Sequence, residues 1–173
     1  MAQAISSLIP LAGVDPQMVE ELLDRAFGPG RFQRTAYKVR QGTEALPALS
    51  FAALDEDELL VGTIQAWPVA LTDADGRAHP MIMVGPVAVL PERQGEGYGT
   101  ALMLAQQQAI GDGPATLPQV LIGDAPYYGR FGFMAAPTQG WSLPGPYEKD
   151  RLLVRCANPA VLPREGMLGP WRG

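Results

Sequence analysis

Val87-Ala-Val-Leu-Pro-Glu-Arg-Gln-Gly-Glu-Gly-Tyr-Gly-Thr-Ala-Leu-Met103 passes from an apolar strand pattern, through three alternating glycines, into an amphipathic helix pattern. Gly95, Gly97 and Gly99 remove the side chains that would hold a ligand away from the main chain. The N–H groups of the loop and of the first helical turn can then point at phosphate oxygens. The segment reads as an anion cradle, and a phosphorylated cofactor is the first expectation.

Spacing separates the loops that use this physics. A Walker loop needs Gly-x-x-x-x-Gly-Lys-Ser/Thr, and no lysine lies near this segment. The dinucleotide fingerprint needs a third glycine three positions after the second, where this chain has Thr100. The strands before the loop also pattern as an antiparallel meander, unlike a Rossmann opening. What Gln94-Gly95-Glu96-Gly97-Tyr98-Gly99 resembles is the Gln/Arg-x-x-Gly-x-Gly/Ala loop of the GNAT N-acetyltransferase superfamily. A second segment, Asp124-Ala-Pro-Tyr-Tyr-Gly-Arg-Phe-Gly-Phe133, resembles the Tyr-x-x-x-Gly-Phe signature after that superfamily's fifth strand. The two motifs stand in the family's order. Val84-Gly-Pro-Val-Ala-Val89 together with Tyr-Tyr-x-Arg-Phe-Gly-Phe is closest to the family's predicted N-acetyltransferase branch.

The resemblance implies an α/β (α+β) acyl-CoA N-acyltransferase fold. Its central mixed, mostly antiparallel sheet has about seven strands, is splayed between strands 4 and 5, and is flanked by helices. It implies acetyl-CoA as cosubstrate and a primary amine as acceptor. Gln94, Gly95, Gly97 and Gly99, with main-chain groups of Glu96, Tyr98 and Thr100, would grip the pyrophosphate, and the main chain of Val87, Ala88 and Val89 would pair with pantetheine. Tyr128 matches the position of the family's general acid, and a tyrosine hydroxyl with a pKa near ~10 can donate a proton to a departing thiolate. The family's usual strand-four glutamate is missing, because Gly85-Pro86 stands in that region. A water chain, Glu56, Asp124 or Glu148, or an amine that arrives neutral would have to serve, while His79, the lone histidine, reads as a surface residue. A non-catalytic acyl-CoA-binding or regulatory domain with the same fold is the alternative, and a dinucleotide-binding module, resting on Gly95-x-Gly97 after a strand, is a more remote one. Dimers are common in the superfamily, so a homodimer is an open expectation.

Working outward, Asp15-Pro16 caps a helix whose Val19, Leu22, Leu23 and Ala26 recur at helical spacing up to Gly28-Pro29-Gly30. A short strand precedes it, from Ala4 to Leu11. A second helix, 31–40, places Arg31, Arg34 and Lys38 on one side, read as a solvated basic face. Strands follow at 48–53, 58–71 and 79–90, the last two joined through the Asp75-Gly76 turn. Pro86 removes a ladder donor inside the third of these. The helix from about Gly97 ends at Gly111-Asp112-Gly113, and further strands are expected at 119–123, 131–135 and 151–157. The proline- and glycine-rich tail, 158–173, reads as irregular. Trp67, Trp141 and Tyr147 read as packing residues, with an apolar pocket as the alternative.

The chain has 173 residues and is 47% apolar, as expected of one domain with a sizeable core. Its net charge of −5 speaks against a nucleic-acid partner and suits a cationic acceptor. Cys156 is the sole cysteine, which excludes an internal disulfide and a cysteine-built zinc site, and no metal is expected. Met-Ala-Gln-Ala-Ile-Ser-Ser lacks a basic region and no apolar run approaches the ~18 residues of a membrane span, so a soluble cytoplasmic protein without membrane association is expected.

Overall fold

The computed structural model describes residues 7–113 and 115–171. The first three residues expected in the opening strand lie outside them. Strands β1 (Ser7–Pro10), β2 (Phe51–Leu54), β3 (Leu60–Thr72), β4 (Ala78–Val89), β5 (Gln119–Ile122), β6 (Trp141–Ser142), β7 (Leu152–Arg155) and β8 (Gly166–Pro170) are joined by helices α1 (Pro16–Phe27), α2 (Thr35–Val39), α3 (Tyr98–Ile110) and α4 (Ala125–Tyr128). The sheet runs in the order β1-β2-β3-β4-β5-β7, with β8 paired to β3 and to β6. It is mixed and mostly antiparallel, as expected. No helix among the described residues is long and apolar enough to cross a membrane.

The chain divides into two compact units, each drawing on three separate stretches of sequence. The first comprises residues 1–32, 45–66 and 85–111. Here β2 pairs antiparallel with β1 and with β3, with a register shift between Ala53 and Leu54. Asp15 caps α1 by accepting from the Gln17 N–H, Pro16 occupies the first turn, and Gly28 at φ +87° ends the helix. Val19 and Leu23 of α1 bury against Leu11, Ala52 and Ala88. A Cβ on Gly62 would stand 3.1 Å from both the Ala88 carbonyl and the Leu102 side chain, so α3 seats closely over β3. Gln106, a polar residue on the buried side of α3, donates from Nε2 to the carbonyls of Leu49 (2.9 Å) and Gln65 (3.0 Å).

The second unit comprises residues 33–44, 67–84 and 112–173. Its only described parallel strand pair besides β6–β8 is β4–β5, through Ile82↔Gln119 and Met83↔Val120, and the ladder between them ends there among the described residues. All four residues of β5 pair antiparallel with β7. Val39, Val69, Leu71, Met81, Met83, Val120, Trp141, Leu152, Val154 and Leu168 form the core.

Four expectations need correction. The tail is not irregular throughout, because residues 166–170 form β8, paired with Val69–Thr72 of β3. The strand expected at 131–135 reduces to one bridge, Met134↔Val154, since Gly132 takes φ +92° and turns the chain. The second helix breaks at Arg34 into a 3₁₀ turn (Pro29–Gln33) and α2. Arg31 is then not part of a solvated basic face: it is buried, donating to Asp24 and Glu20 of α1.

Gln106 offers a direct check on how α3 is seated. Replacing it by Leu strips two buried carbonyls of their donor, and we expect Gln106→Leu to lower the unfolding free energy by about 1–3 kcal/mol, measured by urea denaturation.

Candidate active site

The loop after β4 is built to present its main chain. Leu90 N–H donates to the Val61 carbonyl (2.9 Å), which fixes where the chain leaves the strand, and a 3₁₀ turn over Pro91–Arg93 redirects it. Gly95 and Gly97 then take φ +84° and +95°, a region that L side chains avoid. A Cβ at either would meet nothing within 4 Å, so the space above the loop is open. Gly97 is the N-cap of α3 and no side chain caps the helix. Ala101 N–H donates to the Gly97 carbonyl (3.0 Å), and the N–H groups of Tyr98 and Gly99 lie in the turn ahead of that bond. Open space, an uncapped start of a 13-residue helix and its positive dipole end fit an anionic phosphate group.

The side chains of Gln94, Glu96 and Tyr98 are engaged within the protein. Gln94 reaches back to the Val89 carbonyl (3.4 Å), the Tyr98 ring is buried, and Glu96 pairs with Arg93 (3.0 Å). Main chain is what remains for a ligand from Glu96 and Tyr98. Ala88 of β4 is buried, and Val87 and Val89 are half-buried beside it.

Tyr128 belongs to the other unit. It ends α4, a four-residue helix after β5, with its N–H bonded to the Asp124 carbonyl (2.9 Å) and its own carbonyl accepting from Phe133 (3.3 Å). The ring packs edge-on against Tyr127 (4.9 Å between centroids) and Phe133 (6.4 Å). A residue the sequence reading missed makes the room: a Cβ on Gly123 would fall 2.5 Å from the Tyr128 ring. Burial, and next the neighbouring Tyr127, push the Tyr128 hydroxyl up to about 12, so it is fully protonated at neutral pH.

This arrangement has known relatives. The family model described as "Acetyltransferase (GNAT) domain" matches residues 11–136. The chain belongs to the GNAT acetyltransferases. The solved GNAT-family N-acetyltransferase YhbS of Escherichia coli, in complex with CoA, has a TM-score of 0.70 at 19% identity, over 99% of this chain and 93% of that one. A GNAT-family acetyltransferase of Brucella melitensis, in complex with acetyl-CoA, gives 0.59 at 24% identity, over 95% of both chains. No functionally curated protein matches the chain in sequence.

Within this GNAT protein the other candidate groups have settled places. The imidazole of His79 is engaged, its Nε2 lying 2.9 Å from Asp73 Oδ2. Asp73 Oδ1 meanwhile accepts the N–H groups of Asp75 and Arg77, closing the β3–β4 turn. Glu56, Asp124 and Glu148 are all exposed, and Glu56 stands 3.9 Å from Arg93. Trp141 and Tyr147 pack in the core and are hydrogen-bonded, Trp141 to the Pro163 carbonyl and Tyr147 to the Trp141 carbonyl. Trp67 packs beside them and covers the Arg40 guanidinium at 3.9 Å, so the packing reading holds for all three.

Asp73 carries a pH prediction. The bond to His79 and then the Arg77 N–H hold its carboxyl below the ordinary 3.8. A depressed carboxylate stabilises the fold above its unfolded pKa, and that stability is lost as pH falls through the folded one. Asp73→Asn, which keeps an acceptor oxygen but cannot ionise, should therefore melt lower than the unaltered protein at pH 7. Thermal melts should converge as the pH drops below about 3.8.

Proposed function

We propose that the protein is an acetyl-CoA-dependent N-acetyltransferase, moving an acetyl group directly to a primary amine without a covalent enzyme intermediate. The observation that carries this reading is the uncapped N-terminus of α3 behind two positive-φ glycines with open space above them. Acetyl-CoA would supply an activated thioester, and its pyrophosphate is the group such a cradle suits. Val87, Ala88 and Val89 would offer main-chain groups to the pantetheine arm, as strand residues can to an extended ligand. The new bond joins the amine nitrogen to the acetyl carbon, and the bond that breaks is carbon to sulfur.

Tyr128 would return a proton to that sulfur. A hydroxyl at about 12 is a weak acid, but the apolar surroundings that raise it also raise the basicity of a thiolate formed beside it. Proton donation then proceeds between partners shifted in the same direction. Removal of the amine proton falls to water or to the acceptor's own equilibrium, since no carboxylate occupies the Gly85-Pro86 stretch of β4. The same stretch favours a second reading, a non-catalytic acyl-CoA-binding domain, which predicts tight binding without turnover.

Calorimetric titration with acetyl-CoA, with NADH as control, comes first, and micromolar binding of acetyl-CoA alone is expected. Screening amines for release of free CoA then separates the enzyme from the binding domain. Tyr128→Phe should leave donor affinity within about twofold and cut turnover by about 100-fold. Gly123→Ala, which drives a methyl into the Tyr128 ring, should follow it in turnover. Failure to bind acetyl-CoA would overturn the assignment, and unaltered turnover in Tyr128→Phe would remove that residue from the mechanism.

A further inference from the structure

The unit that carries the glycine loop is strongly acidic. Its sequence holds three cations, Arg25, Arg31 and Arg93, against ten carboxylates. Each cation closes on a carboxylate: Arg25 on Glu92 at 2.6 Å, Arg31 on Asp24 and Glu20, and Arg93 on Asp55 and Glu96. From Gln94 to Gly129 the chain has no lysine or arginine at all. Arg93 is thus the cation that adjoins the loop, and the obvious role for it would be to bind phosphate.

Its geometry says otherwise. Nη1 donates to Asp55 Oδ2 (2.8 Å), Nε to Glu96 Oε2 (3.0 Å), and Nη2 to the Tyr98 hydroxyl (3.0 Å) and more weakly to Glu96 Oε1 (3.3 Å). Asp55 is itself fixed in the β2–β3 turn, where Oδ1 accepts the N–H groups of Asp57 (2.8 Å) and Leu59 (3.0 Å). The network therefore ties three points together: a buried turn carboxylate, the residue between the two positive-φ glycines, and the first residue of α3. A planar guanidinium that bonds in three directions holds its neighbours in fixed orientation, which a flexible ammonium would not do.

We propose that Arg93 is a positioning residue, the strut that sets the shape of the donor loop, and that it does not itself ligate the donor's phosphates. The proposal rests on the acetyl-CoA reading above. The two roles for Arg93 predict opposite signs. If it ligates phosphate, cutting its tie to Asp55 releases a cation toward the ligand and tightens binding. If it is a strut, the same cut loosens the loop and weakens binding. Salt separates them again, because an arginine–phosphate pair is screened as ionic strength rises whereas main-chain N–H bonds to phosphate are much less so.

The experiment is calorimetric titration of the full-length protein with acetyl-CoA at 50 and 500 mM sodium chloride, for the unaltered chain, Asp55→Asn and Arg93→Gln. We expect both variants to bind about tenfold more weakly, and the change in affinity with salt to be the same in Arg93→Gln as in the unaltered protein. A merely destabilised fold would not preserve that salt response while shifting affinity, and melting curves confirm that the variants are folded. Glu96→Gln cuts the same network from the loop side and carries the same expectation should Asp55→Asn not yield folded protein. Tighter binding in Asp55→Asn, or a flattened salt response in Arg93→Gln, overturns the proposal while leaving the acetyl-CoA reading intact. No acetyl-CoA binding by the unaltered protein overturns both.

Discussion

The start of α3 is the constraint from which the loop's construction follows. Backbone N–H groups in a first helical turn are obligatory donors, and most helices meet the demand with a Ser, Thr, Asp or Asn at the N-cap. Here the N-cap is Gly97 in the left-handed region, which contributes no side chain. A helix start of this kind receives no acceptor from an N-cap side chain. Holding it in one place falls to other contacts: the buried Tyr98 ring and its bond to Arg93 in the first turn, and Gln106 in the third, bonded to two main-chain carbonyls. The polar groups of this helix fix its position, and its apolar groups supply the burial.

Electrostatics then distinguishes what the loop can do from what it is. An α-helix offers about half a positive charge at its N-terminus, while Glu92, Glu96 and Asp55 surround this one with carboxylates. The arginine between them neutralises two of the three through direct contact. What an approaching anion meets is therefore a directional set of donors in place of a net positive field. Under the proposed acetyl-CoA reading, such a site would select for shape and for the spacing of oxygens and would gain little from long-range attraction.

Parts of this were legible in the sequence because the chemistry demands neighbours in sequence. Gly95 and Gly97 stand two apart in sequence, so the positive-φ turn that opens the loop is a local feature, and α4 closes at Tyr128 within four residues of its start. Where partners are distant, local pattern misleads. Gly166-Met-Leu-Gly-Pro170 reads as breaker-rich tail, yet it is a strand because Val69–Thr72 offers it an edge. Arg31, Arg34 and Lys38 share helical spacing, but the helix they would share breaks at Arg34, and Arg31 turns back onto α1. Arg93 lies one residue before the recognised motif, and its key partner, Asp55, is 38 residues away in what reads as an acidic turn.

The glycines themselves divide by physical cause, a distinction that sequence alone does not draw. Gly97 has a positive φ and nothing within 4 Å of its absent Cβ, so it is there for conformation. Gly123 has no such φ, yet a Cβ would fall 2.5 Å from the Tyr128 ring, so it is there for room. An alanine at 97 would meet backbone strain, whereas an alanine at 123 would meet an aromatic ring that must move. Because burial is the first cause that raises the Tyr128 hydroxyl, a ring pushed toward water would also drift back toward the ordinary value of ~10. One methyl group at Gly123 therefore bears on the acid strength of Tyr128 as well as on its position, which makes the missing side chain part of the candidate acid's chemistry.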